Sequence, residues 1–164
     1  MAVRKTAYLG LFCAVALILS YVESLIPFFA GIPGMKLGLP NAAIVTVLYL
    51  YSWKEAALVN AVRILAVGFL FGNMFSMMFS AAGAVLSLAV MQLVKKTGRL
   101  SPAGVSIAGG IAHNAGQVMA AAAVVENLRI GYYFVPLAAA GLLTGAAIGI
   151  LSQLLIPRLQ PLVR

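Results

Sequence analysis

The sequence predicts an all-α integral membrane protein, one bundle of six transmembrane helices, on three observations. Of the 164 residues, 63% are hydrophobic, and the mean hydropathy of the chain is +1.08. Charged residues make up only 9% of the chain and lie almost entirely between six apolar stretches. A helix of roughly 20 apolar residues crosses a hydrocarbon core about 30 Å thick, so each stretch is a candidate span. We expect residues 1–164 to form a single transmembrane domain in contact with the lipid bilayer.

The hydrophobic pattern and its breaks give the six helices in order. The predicted helices cover residues 6–26, 40–53, 55–72, 74–94, 102–125 and 133–156. Prolines and glycines between residues 27 and 40 separate the first two helices, and a basic turn followed by Pro102 separates the fourth from the fifth. Trp53, Lys54 and Glu55 mark a tight turn at a membrane interface, where an indole and charged groups are common.

The first apolar run resembles a secretory signal peptide, because Arg4 and Lys5 precede it. However, the run continues to about Ile26, it has no clear cleavage site with small residues, and more apolar stretches follow it. We therefore expect it to be retained as the first transmembrane helix.

The distribution of basic residues predicts the orientation in the membrane. With the amino terminus in the cytoplasm, only Lys36 and Arg129 fall on the outer side. The cytoplasmic side then holds Arg4, Lys5, Lys54, Lys95, Lys96, Arg99, Arg158 and Arg164. This excess predicts cytoplasmic termini and an outward-facing loop over residues 27–39. It also accounts for the net charge of +8, and no aromatic-studded basic run indicates nucleic-acid binding.

Arg63 is the most informative single residue, because it lies near the middle of the third predicted helix. An ionised side chain at the bilayer centre costs about 2.5–3.5 kcal/mol on insertion scales, so it should face the protein interior. Asn60 lies on the same helix face, and the two side chains together suit an anionic or carbonyl-rich ligand. The structural alternative is an arginine that is satisfied by helix carbonyls or that extends to an interface.

His113, Asn114 and Gln117 form a second polar cluster at membrane depth in the fifth helix. They are suited to binding a heterocycle or polar head group, and the histidine to relaying protons. The structural alternative is a polar clasp between helices, worth about 1 kcal/mol. A metal site is not expected, because the chain has one histidine, one cysteine and no aspartate.

The predicted outer loop contains an apolar segment that glycine and proline interrupt, from Gly31 to Pro40. Such a segment would tolerate open water poorly, so we expect it to cover a cavity, with Lys36 reaching an anionic group of the ligand. Asn41 and Asn73, at the starts of two helices, are candidates either for ligand contacts or for helix caps.

Small residues recur at four-residue spacing, which lets helices approach closely in lipid. The row of Gly141, Gly145 and Gly149 is expected either to pack within the bundle or to bind a partner helix. In the first helix, Gly10 and Ala14 form a shorter row and are candidates for docking a partner.

The chain carries no motif of an enzyme. It has no aspartate for an Asp-rich magnesium motif, no glycine-rich phosphate loop ending in Lys-Ser or Lys-Thr, and no recognisable nucleophile motif. We therefore expect a non-catalytic binding or transport subunit without a cofactor.

The segment GIPGMKLGLPNAAIVTVLYLYSWKEAALVNAVRILAVGFLFGN, from Gly31 to Asn73, resembles the bacterial Gx transporter family. This family is also labelled component I of heptaprenyl diphosphate synthase, and it is similar to the S components of energy-coupling factor transporters. The resemblance implies a six-helix S-component fold in the bacterial cytoplasmic membrane, with a pocket near the outer face. It also implies a vitamin-like ligand, a membrane coupling subunit that docks on the first helices, and two cytoplasmic ATPases. Gly10 and Ala14 take the place of the Ala-x-x-x-Ala docking pattern of that class.

Two functions follow as hypotheses. The first is a substrate-binding subunit of a small-molecule uptake transporter, with Arg63, Asn60, His113, Asn114 and Gln117 around the ligand. The second is a non-catalytic accessory membrane subunit, either in prenyl diphosphate or quinone synthesis, as the heptaprenyl label implies, or in flavin-linked electron transfer. The family resemblance also makes a flavin or a quinone-related ligand conceivable.

Overall fold

The computed structural model describes residues 2–26 and 37–163, and within these ranges the chain is entirely helical. Six α-helices follow one another: α1 (Ala2–Leu25), α2 (Asn41–Leu50), α3 (Trp53–Leu70), α4 (Met74–Lys96), α5 (Pro102–Val125) and α6 (Phe134–Val163). A 3₁₀ turn, Leu128–Tyr133, leads into α6. The all-α class is confirmed. Lys36 and most of the predicted outer loop lie outside the described residues.

Two helix ends differ from the predicted ones: the end of the last helix and the start of the third. The last helix was expected to stop at residue 156, but α6 continues through Pro157 and Pro161. A helix can absorb a proline near its end at the loss of one backbone hydrogen bond. The third helix begins earlier than expected, at Trp53, because the Ser52 hydroxyl accepts a hydrogen bond from the Lys54 amide at 3.2 Å and caps it.

Helix α2 is short and occupies the centre of the bundle. Residues 42–48 are all buried, and α2 packs against α1, α3, α5 and α6. Leu88 and Met91 of α4 belong to the same apolar core as Ile44. The Lys95 ammonium donates a hydrogen bond of 2.6 Å to the Leu48 carbonyl, so α4 satisfies an otherwise unpaired group at the carboxyl end of α2. The longer helices surround α2 in the order α1, α3, α4, α5 and α6.

Three helical segments of the described chain have the length and hydropathy of membrane spans: Val3–Leu25, Met74–Lys96 and Leu128–Val163. Helix α2 is too short for this class, α3 carries three charged side chains, and α5 contains the polar residues from His113 to Gln117. Large apolar side chains cover much of the outer surface. Phe69, Leu128 and Val135 are 80%, 90% and 72% exposed, an amount of apolar surface expected of a protein in contact with lipid.

The small residues of α6 pack against α5 inside the bundle. A Cβ atom at Gly141 would lie 2.8 Å from the Gly110 carbonyl oxygen, and one at Gly149 would lie 2.5 Å from the Ala103 Cα. This confirms the packing interpretation of the glycine row. The alternative, that the row binds a partner helix, is wrong because α5 already covers it.

Candidate ligand-binding cavity

A small cavity lies where α2, α4, α5 and α6 meet. The cavity has a volume of about 20 Å³, which is room for a water molecule or for the end of a ligand. Among the described residues, its lining includes Leu37, Gly38, Asn41, Val45, Ser87, Met91, Ser106, Gly109, Gly110, Thr144, Gly145 and Ile148. The cavity thus adjoins the amino-terminal half of α2 and the described end of the predicted outer loop, at Leu37 and Gly38.

Ser87 and Ser106 face this cavity from α4 and α5 with their hydroxyl groups unpaired. They are only 6% and 4% exposed, yet neither hydroxyl forms a hydrogen bond to the described part of the chain. The hydroxyls of Ser20 and Ser152, which are equally buried, instead donate to carbonyls one turn earlier at 2.8 and 2.9 Å. Because both hydroxyls line the cavity and form no hydrogen bond within the described chain, Ser87 and Ser106 are suited to binding a polar group there.

Asn41 contributes a third polar group, from the first turn of α2. It does not cap that helix: the capping position is Pro40, and no side-chain capping bond forms there. The Asn41 side chain is half-buried, lines the cavity, and forms no hydrogen bond among residues 2–26 and 37–163. Of the two roles predicted for Asn41, its position fits the ligand contact.

Glycines make room for these polar groups. Gly38 has a φ of +73°, a conformation that favours glycine, and a Cβ atom there would lie 3.1 Å from the Asn41 amide nitrogen. A Cβ atom at Gly109 would lie 2.5 Å from Met91 Cγ and 3.2 Å from the Ser87 hydroxyl. Both positions therefore require a residue without a side chain next to the cavity.

Arg63 and Asn60 form a separate polar group on α3. The Nε and Nη2 atoms of Arg63 donate to the Asn60 side-chain oxygen at 3.2 and 2.9 Å, and Asn60 is only 6% exposed. The Glu23 carboxylate at the end of α1 acts electrostatically on Arg63 and accepts a hydrogen bond of 2.5 Å from the Gly38 amide. Neither Arg63 nor Asn60 is in the cavity lining described above. A role for them in ligand binding stays a prediction.

The polar cluster of α5 divides between two neighbouring helices. Asn114 faces α6, where its amide donates to the Leu137 carbonyl at 2.5 Å and forms the kind of clasp considered as the structural alternative. His113 and Gln117 face α4, because a Cβ atom at Gly83 would lie 2.9 Å from His113 Cε1 and 3.0 Å from Gln117 Cγ. Ligand contacts of these three residues also stay a prediction, since the cavity lining does not include them.

The remaining predicted residues have different surroundings. Asn73 caps α4, since its side-chain oxygen accepts a hydrogen bond from the Ser76 amide at 2.8 Å. Gly10 and Ala14 are exposed on α1, and no atom would lie within 4 Å of a Cβ at Gly10. Lys36 lies outside the described residues. In the described ranges, no three side chains of histidine, cysteine, aspartate or glutamate form a metal-binding group.

Sequence reasoning missed Ser87, Ser106 and Thr144. Each is a small polar residue in an apolar helix, and that signal was visible. This signal alone does not indicate a binding site, because a helical serine or threonine usually bonds to the backbone of its own helix. Thr144 does so by donating to the Ala140 carbonyl at 2.9 Å.

Comparison with known proteins gives one match. The family described as heptaprenyl diphosphate synthase component I matches residues 12–155, which is most of the chain. No curated protein and no solved structure matches the chain. The family expected from the residues between Gly31 and Asn73 is confirmed under this label, whereas similarity to S components is not shown. The extent of the match means that the chain belongs to the heptaprenyl diphosphate synthase component I family.

Proposed function

We propose that this protein is a non-catalytic subunit of the bacterial cytoplasmic membrane that binds a small molecule in the cavity between α2, α4, α5 and α6. The observation that carries this proposal is the convergence of unpaired polar groups from Ser87, Ser106 and Asn41. These groups can donate and accept hydrogen bonds and use none of that capacity within the described chain, so a polar group of a bound molecule would pair with them.

In this proposal the subunit belongs to a small-molecule uptake transporter and resembles an S component in its role. The cavity adjoins Leu37 and Gly38, where the predicted outer loop ends, so a ligand would enter from that side. Helix α1 is the least buried of the three candidate spans, and the surface at Gly10 is open. That surface would dock a membrane coupling subunit, with ATPases on the cytoplasmic side.

A second candidate function rests on the family name. As a component of heptaprenyl diphosphate synthase, the protein would hold a prenyl or quinone-related molecule for a catalytic partner. The chain has no aspartate, and Asp-rich motifs are what normally bind magnesium diphosphate in that chemistry. The partner would therefore supply the catalytic residues.

Ligand retention tests the first function. We expect native mass spectrometry of the gently purified protein to show a bound small molecule. The Ser87→Ala/Ser106→Ala double variant should bind it roughly tenfold to a hundredfold more weakly, because two hydrogen bonds of about 0.5–1.5 kcal/mol each are lost. The matched control is Ser20→Ala/Ser152→Ala, which removes two buried hydroxyls outside the cavity.

If the two double variants retain the small molecule equally well, the molecule does not bind in the cavity. A protein without a small molecule that carries another membrane polypeptide would instead favour the second function.

We also propose six membrane crossings with both termini in the cytoplasm. In support, the Arg4 guanidinium donates to the Leu162 carbonyl at 2.7 Å, and the Lys5 ammonium lies 2.5 Å from the Glu55 carboxylate. These contacts join the start of α1, the end of α6 and the first turn of α3 at one basic end of the bundle. The positive-inside rule assigns such an end to the cytoplasm.

Reporter fusions test this topology. Green fluorescent protein fused after residue 164 should fluoresce, as it does in the cytoplasm. Alkaline phosphatase inserted next to Arg129, before α6, should be active, as it is outside the cytoplasm. Phosphatase activity from a fusion at the carboxyl terminus would contradict the proposed orientation.

A further inference from the structure

We infer that the part of the ligand held in this cavity is uncharged and both accepts and donates hydrogen bonds, as a carbonyl-amide edge does. The inference rests on the proposed binding function and deepens it by naming the chemistry that the cavity recognises. Three features of the lining lead to it: its hydrogen-bonding groups, its charge and its size.

The hydrogen-bonding groups offer both donors and acceptors. The Ser87 and Ser106 hydroxyls and the Asn41 amide N–H groups are free to donate within the described chain. The Thr144 hydroxyl has committed its proton to the Ala140 carbonyl, so its oxygen accepts, as does the side-chain oxygen of Asn41. A carbonyl oxygen next to an N–H group satisfies both kinds of partner, whereas a pure acceptor would leave the acceptors of the lining unpaired.

The lining carries no charge among the residues that the structure describes. Its polar members are hydroxyls and one amide, and the other side chains are apolar, such as Val45, Met91 and Ile148. Two half-buried cations of the described chain have partners outside the lining: Lys95 bonds to the Leu48 carbonyl and Arg63 to Asn60. A carboxylate or phosphate held by these described residues would lose hydration without gaining an opposite charge from them, which disfavours an anion at this end of the ligand.

The size of the cavity limits what enters it. A volume of about 20 Å³ admits one small polar group among the described residues. The apolar lining continues to Leu37, at the side nearest the predicted outer loop. The recognised molecule therefore has an apolar or aromatic body with a neutral carbonyl or amide at the end that enters first.

Acetamide and acetate test this inference, because they have nearly the same shape but only acetamide is neutral and carries N–H donors. The purified full-length protein is heated in detergent with either probe at up to 100 mM, and the change in melting temperature is compared with that of Ser87→Ala/Ser106→Ala. We expect acetamide to stabilise the unaltered protein, with an apparent affinity at least tenfold higher than that of acetate. The double variant should lose this acetamide effect, and Ser20→Ala/Ser152→Ala should keep it.

Each other outcome overturns the inference. If acetate stabilises through Ser87 and Ser106 as well as acetamide does, the cavity accepts anions, but ligand binding in the cavity stands. If acetamide raises the melting temperature of the unaltered protein and of Ser87→Ala/Ser106→Ala equally, it acts as a cosolvent, and the cavity does not recognise an amide. If neither probe acts, the assignment of a carbonyl-amide edge fails. Retention of the co-purified ligand, measured separately, then decides whether the proposed function fails with it.

Discussion

Replacing Gly145 with alanine is expected to destabilise the protein by about 1–3 kcal/mol, because the new methyl group has no room. A Cβ atom at this position would lie 2.8 Å from the Ile107 Cα and 2.9 Å from the Ser106 carbonyl oxygen. Both atoms belong to the backbone of α5, so neither can rotate away as a side chain could. The two helices must move apart, and Ser106 must shift relative to the cavity.

Gly10→Ala is the matched control, because it makes the same chemical change on an open helix surface. It should leave the free energy of unfolding unchanged or slightly raise it, since glycine in a helix interior is unfavourable relative to alanine. The measurement is unfolding in mixed detergent and dodecyl sulfate, followed by circular dichroism. Equal stability of the two variants would mean that α5 and α6 do not pack as closely at Gly145 as described.

Replacing Asn60 with alanine is expected to have the second large effect, a loss of about 1.5–3 kcal/mol in the free energy of unfolding. The Asn60 side-chain oxygen accepts both hydrogen bonds from Arg63, and its removal leaves a half-buried guanidinium without that partner. Asn73→Ala is the comparison, because it removes an asparagine that caps a helix at an exposed position. That change should cost only about 1 kcal/mol.

Asn60→Asp distinguishes the hydrogen bond from simple packing. Aspartate keeps an oxygen at the same position and adds a charge opposite to that of Arg63, so it should recover most of the stability that alanine loses. The same unfolding assay measures this recovery. If the alanine and aspartate variants are equally unstable, the contribution of Asn60 comes from its packing, and Arg63 depends on other partners.

The helices could be predicted from the sequence because their signals are local. Apolar stretches and the glycines and prolines between them lie within a few residues of the boundaries that they set, which is why all six helices were expected. The partners of polar side chains are different. Asn114 and Gln117 are three residues apart on α5, yet one contacts α6 and the other α4. No sequence spacing on one helix says which neighbour each of its faces will meet.

The cavity could not be predicted for a related reason. Ser20 and Ser87 are the same kind of residue in apolar helices, but only Ser20 uses its hydroxyl on its own helix. The difference depends on whether neighbouring helices leave space beside the side chain, and that space exists only after α2, α4, α5 and α6 have packed together. Asn41 could be predicted as a candidate because an asparagine at the start of a helix either caps the helix or contacts a ligand.

The short central helix belongs both to the core and to the wall of the cavity. Helix α2, with 10 residues, is about 15 Å long, whereas α5, with 24, is about 36 Å long. Residues 42–48 of α2 are buried among its neighbours, and Asn41 and Val45, one turn apart on the same helix, line the cavity. A displacement of this one helix would therefore change the packing of the core and the shape of the cavity at the same time.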